Sequence, residues 1–160
     1  MTCSLTHQQI QYASTALSQP GLIRLVSEID AHGAIPPRAV AGTLTDLSPH
    51  QIRQAIEQAN TLGLLDRSHG GIGLAPPGQA LADLYDATAR WARHHHYPSR
   101  FCDFAIRIRH TFALLAGKGA DHSPGGGEAH AELADLHRFL AEWTAEHQLR
   151  SARSGYGAAA

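Results

Sequence analysis

The sequence predicts a mainly α-helical fold with one small β-hairpin. Three observations predict it. Apolar residues recur at helical spacing along most of the chain, as in Leu22, Leu25, Val26 and Ile29. Ser48, Pro49 and Gln51 form a strong helix start: a hydroxyl cap, a proline at the first helical position, and a glutamine that can reach back to the cap. Two short extended segments, 64–68 and 72–75, flank His69-Gly70-Gly71, where the glycines can take positive φ and close a tight turn.

The elements follow in order. Thr6 and Gln9 fit a capping box for a first helix over 6–17, with Ile10, Ala13 and Leu17 on one face. Pro20-Gly21 interrupt it, and a second helix spans 22–32, ended by Gly33. Pro36-Pro37 open a third helix, 36–45, with Val40 and Leu44 inward. The helix from Ser48 to Thr61 buries Ile52, Ile56 and Ala59 and ends at Gly63. After the hairpin, Pro76-Pro77-Gly78 start a long helix to about His95, which Tyr97-Pro98 breaks. Residues 99–117 read as a helix with Phe101, Ala105, Ile108, Phe112 and Leu115 inward. A Gly-rich linker leads to a helix over 128–149, where Leu133, Leu136, Leu140 and Trp143 repeat as a coiled-coil seam does. The last residues, 151–160, are small and polar, and are expected to be disordered.

Composition narrows the function. A chain of 160 residues buries one good core, with room for a helical appendage. No apolar run is long enough to span a membrane, and the N-terminus lacks a basic segment leading into an apolar one, so a cytoplasmic protein without a membrane partner is expected. Two cysteines, Cys3 and Cys102, exclude a disulfide scaffold and a cysteine zinc cage. The net charge of −1 counts against a strongly basic DNA-binding domain, although 12 histidines can add charge at mildly acidic pH.

No catalytic, cofactor or metal site is expected. Gly125-Gly126-Gly127 lack the lysine and the strand–helix context of a phosphate loop. His130 and His137 stand seven residues apart on one helix, about 10 Å, too far to share an ion. His94, His95 and His96 point in different directions and read as a cationic helix end.

The order helix, extended segment, helix, tight turn, helix, hairpin is that of a winged helix-turn-helix, followed here by C-terminal dimerisation helices. It places a DNA-binding domain at 1–98, a dimerisation or effector region at 99–150 and the tail beyond. In that arrangement helix 48–61 enters the major groove of double-stranded DNA. Arg53 can donate two hydrogen bonds to guanine, and Gln51 or Gln54 can pair with adenine, beside the exposed His50. Ser48 at the helix N-terminus suits a phosphate, as does Arg38 on the preceding helix, while Arg67 and His69 lie on the wing.

Residues 46–67, from Asp46 to Arg67, resemble the stretch around the recognition helix in the HxlR group of winged-helix regulators, and more broadly in MarR-type repressors. Residues 73–92, with Leu74 and Pro76-Pro77-Gly78 before a long helix, are similar to the segment that follows the wing in that group. The resemblance implies a homodimeric transcription factor, often a repressor responsive to a small molecule or to oxidation, and hence a pseudo-palindromic operator. Cys3 resembles, by position, the redox cysteine of some such sensors, with a bystander thiol at a frayed end as the alternative. Cys102 reads as a small core residue. Trp91, Phe101, Phe112 and Trp143, with Tyr85 and Phe104, suit a dimer interface or, alternatively, a pocket for a small hydrophobic effector. The neutral charge keeps open a winged-helix module that binds protein rather than DNA.

Overall fold

Side-chain caps set the start of three helices in the computed structural model, which describes residues 6–118 and 124–156, with side chains through residue 147. Helix α1 (His7–Leu17) starts in a complete capping box: Thr6 Oγ1 accepts the Gln9 N–H, and Gln9 Oε1 accepts the Thr6 N–H at 2.7 Å. Helix α2 (Pro20–His32) begins two residues earlier than predicted. Pro20 opens it rather than interrupting, because a helix makes no use of the N–H at its first position. Gly33, at φ 87°, ends α2 with its N–H on the Ile29 carbonyl.

The predicted helix 36–45 is reduced to a 3-10 turn, Pro37–Ala39, and a single α-turn, α3 (Val40–Thr43). Two β-branched residues and Gly42 within four positions make a poor helix, and the Thr43 hydroxyl bonds back to the Ala39 carbonyl at 2.8 Å. Helix α4 (Pro49–Thr61) starts as predicted, with Ser48 as cap.

The hairpin is shorter than predicted. Strands β1 (Leu65–Asp66) and β2 (Gly73–Leu74) pair antiparallel, Leu65 with Leu74 and Asp66 with Gly73. Asp66 Oδ1 accepts the Ser68 N–H at 2.8 Å, a local turn that takes the chain off the ladder. Just before β2, Ile72 exchanges two backbone hydrogen bonds with Ile35, at 2.8 and 3.0 Å, tying the α2–α3 linker to the hairpin.

Helix α5 (Pro76–His94) crosses close over Leu64. A methyl group on Gly78 would overlap the Leu64 carbonyl oxygen and stand 3.1 Å from Leu74 Cδ2, so only glycine fits. Helix α6 (Phe104–Leu115) and helix α7 (Gly127–Tyr156) complete a mainly helical chain with one small antiparallel hairpin. No helix among the described residues is long and apolar enough to cross a membrane.

One contiguous core runs from Ile10 to Trp143. Tyr85 and Phe112 are fully buried near its centre, rings 5.9 Å apart, and the Tyr85 hydroxyl donates to the Leu17 carbonyl. Each buried ring of this kind contributes about 2–3 kcal/mol. Trp91 Nε1 donates to the Ala129 carbonyl at 3.2 Å and Trp143 Nε1 to the Pro77 carbonyl at 3.1 Å, so α7 is fastened to α5 at both ends. His95 Nε2 lies 2.8 Å from Glu132 Oε2 in the same seam.

The C-terminal half departs from several expectations. Helix α6 begins at Phe104, not at residue 99, because Asp103 caps it by accepting the Ile106 N–H at 2.8 Å. Phe101 therefore lies outside the helix, 88% exposed, with the Arg100 guanidinium over its ring. Cys102 is half-buried in the same loop, its Sγ 2.9 Å from Ser99 Oγ, and is not a core residue. The predicted effector pocket is not assembled: Trp91 and Phe112 are filled-in core, Phe101 is in solvent, and Trp143 borders a cleft of about 100 Å³ with Pro76, Pro77 and Ala80 that holds none of the other three. The α7 seam expected to pair protomers is used within the chain, where Leu136, Leu140 and Trp143 are buried in the common core. Helix α7 also runs to Tyr156, into the segment expected to be disordered. Cys3, most of the Gly-rich linker's N-terminal half (119–123) and residues 157–160 lie outside the described residues.

On the outer face of α2 and α5, Gln79 Nε2 donates to Asp30 at 2.8 Å and to Asp83 at 3.4 Å. Partial burial, then the Asp30 and Asp83 carboxylates, raise the pKa of Asp86 beside them. A carboxyl whose folded pKa lies above its unfolded value opposes folding at high pH, and the penalty is relieved as pH falls toward the ordinary aspartate range. Asp86→Asn is thus expected to raise the melting temperature slightly at neutral pH, with the gain gone by about pH 4. Thermal melts of the two proteins across that range check it; a gain that grows on acidification contradicts it.

Candidate nucleic-acid interface

Helix α4 is presented by its cap and by a clamp on the turn before it. Ser48 Oγ accepts the Gln51 N–H at 3.2 Å, and Gln51 Oε1 accepts the Ser48 N–H at 2.8 Å. Arg24 on α2 grips that turn: its Nε lies 3.1 and 3.2 Å from the Asp46 carboxylate oxygens, and its guanidinium also pairs with Glu28. The hydrogen bond to Glu28, then the hydrogen bond and charge of Asp46, raise the Arg24 pKa against a partial desolvation. Arg24 is therefore committed to structure.

Helical geometry divides the rest of α4. Ile52, Ala55 and Ala59 are buried against α2. His50, Arg53, Gln54 and Glu57 fall at spacings of three and four on the opposite, exposed face. Gln51 and Gln58 stand on one flank, and Gln58 Nε2 donates to the Ala16 carbonyl of α1 at 2.7 Å. Gln51 Oε1 is engaged in the cap, whereas the Gln54 amide is exposed and has no hydrogen-bond partner among the described residues.

The remaining predicted residues are distributed around α4 rather than gathered with it. Arg38 is exposed on the 3-10 turn, and Arg67 and His69 are exposed on the hairpin loop. No ion pair engages Arg38, Arg53 or Arg67 among the described residues. His69 Nδ1 is 3.0 Å from Ser68 Oγ and 3.9 Å from an Asp66 oxygen. Hydrogen bonds from Ser68 lower the pKa of Asp66, so that carboxylate stays charged at the base of the loop. Set against Glu57 and Asp66, these three arginines leave a positive surplus of about one charge.

A groove of about 620 Å³ runs along the Gln54–Gln58 flank of α4. Tyr12 and Ala16 of α1 and Gln19, Pro20 and Gly21 at the start of α2 form its other wall. Sequence reasoning missed this groove, because periodicity shows the buried face of α1 and not which helix lies beside it. Comparison of the chain with protein-family models, with curated proteins and with solved structures finds no match.

Proposed function

We propose that the chain is a sequence-specific DNA-binding transcriptional regulator of winged helix-turn-helix type, acting as a homodimeric repressor with α4 in the major groove. The observation that carries the reading is the exposed face of α4. A fully satisfied capping box fixes the start of the helix, and Arg53 and Gln54 project from it without intramolecular partners among the described residues. The order of elements supports it: α2, an extended Ile35 bonded to Ile72, α3, α4 and the hairpin. So does the resemblance of residues 46–67 and 73–92 to the HxlR group. With the α7 seam closed inside the protomer, pairing uses another surface.

The test is selection of bound duplexes from a randomised pool by the full-length protein, followed by titration of the selected sequence. Arg53→Ala is expected to weaken binding by about 1–3 kcal/mol and to relax selection at one position of each half-site. Ser48→Asp keeps a good helix cap but places a negative charge where a phosphate would sit, so folding is retained and affinity falls. An Arg53→Ala protein that selects the same sequence with the same affinity overturns the reading. A second reading, a winged helix that binds protein, is favoured by Glu57 within the exposed face. It predicts no enrichment of any duplex at low salt.

A further inference from the structure

The cations that α4 lacks lie one cleft away. Gln19 and Pro20, which wall the groove beside α4, also border a second cleft of about 220 Å³ between α1 and α6. Arg109 and Lys118 line it, and both are exposed with no ion-pair partner among the described residues. Ser14 lines it from the α1 side; it is 3% exposed, and its buried hydroxyl has no hydrogen-bond partner among the described residues. A buried hydroxyl without a partner is costly, and a ligand oxygen accepting its proton removes the cost.

Helix ends do not account for the charge. Helices α1 and α6 both end at this cleft, at Ser18 and Ala116, and helix C-termini attract cations. Two C-termini together carry about one negative charge, against two positive side chains. A surplus of positive charge remains. The surrounding sequence shows the same bias, since six of the chain's 13 lysines and arginines fall in residues 90–118 with Asp103 as the single acidic residue there.

We propose that the α1–α6 cleft is a phosphate site, in which Arg109, Lys118 and the Ser14 hydroxyl hold the backbone of the same DNA duplex that lies along α4. This rests on the reading of α4 as the DNA-contacting helix. The side chains are fit for it: cations neutralise phosphates without reading sequence, and the adjoining groove makes the two surfaces continuous through Gln19 and Pro20. It also answers the charge deficit of α4, because affinity is supplied beside the helix that supplies selectivity.

The experiment measures affinity of the full-length protein for a labelled duplex of random sequence from about 50 to 200 mM salt. The slope of log affinity against log salt is expected to fall by about 0.9 for Arg109→Gln or Lys118→Gln and by about 1.8 for the pair, with the selected sequence unchanged. Ser14→Ala is expected to lower affinity several-fold without lowering the melting temperature. A double variant with the wild-type slope overturns the phosphate site and leaves the α4 reading standing. Ser14→Ala with a raised melting temperature and unchanged affinity removes Ser14 from the site. If no duplex binds at the lowest salt, the α4 reading fails and the cleft proposal with it. If in that case inorganic phosphate stabilises the wild type but not the double variant, the cleft serves a free anion instead.

Discussion

Gly78→Ala is expected to lower the melting temperature by about 6–12 °C, the consequence of roughly 3 kcal/mol lost. The added methyl would overlap the Leu64 carbonyl oxygen, which also accepts the Ala75 N–H at 2.8 Å. Neither atom can rotate away, because both belong to backbone. Helix α5 must lift from the hairpin, and the Ala75 hydrogen bond must stretch with it. Gly42→Ala is the control: no atom lies within 4 Å of a methyl at that site, and Ala favours helix over Gly by about 1 kcal/mol. Melting curves of the two variants should move in opposite directions. Equal, small shifts would mean that α5 does not approach Leu64 as closely as described.

Phe112→Ala is expected to cost more, about 4 kcal/mol, or a melting temperature lower by about 8–16 °C. Phe112 is fully buried against Tyr85, and loss of its ring leaves a cavity that the surrounding core fills only in part. The shape of the transition matters as much as its midpoint. Phe112 belongs to α6, beyond the boundary at residue 98 expected between two domains, yet it shares one core with α2 and α4. A single cooperative transition, moved as a whole, is the expected result. Two resolved transitions, with only one displaced, would separate α6 and α7 from the α2–α4 unit.

Legibility in the sequence followed how local the determining interaction is. The α4 start was readable because its cap is built from Ser48, Pro49 and Gln51, neighbours along the chain. The same holds for Thr6 and Gln9, and for the glycine at 33. The start of α6 was misplaced although Asp103 is a good cap, because apolar periodicity through Phe101 outweighed it. Helix 36–45 failed for the reverse reason: two prolines signalled a start, but Gly42 and the β-branched neighbours could not sustain the turns. The seam of α7 was correctly seen as apolar, but spacing does not tell whether the partner is the same chain or another. Here it is α5.

For the interface, the exposed face of α4 was legible, since residues at spacings of three and four share a face wherever the helix packs. The commitment of Gln51 to the cap was written in the same four residues that predicted the helix, and it occupies the Gln51 amide oxygen. The α1–α6 cleft was not legible. It brings Ser14 beside Arg109, and no local pattern reports a contact across so much chain. The charge bias of residues 90–118 is the one trace of it in the sequence.

The two backbone hydrogen bonds between Ile35 and Ile72 have a consequence for variation. They use no side-chain chemistry, and with the Gly78–Leu64 approach they hold the base of the hairpin whatever its tip contains. Residues 67–69 are thus a replaceable module, bounded by Gly70 at φ 78° and by Gly71, where a methyl would stand 3.2 Å from Ala34 Cβ. Arginines can be added there, or the loop lengthened, at little cost to folding, so a descendant of this chain could acquire a stronger grip on an anionic surface while its helices stayed as they are.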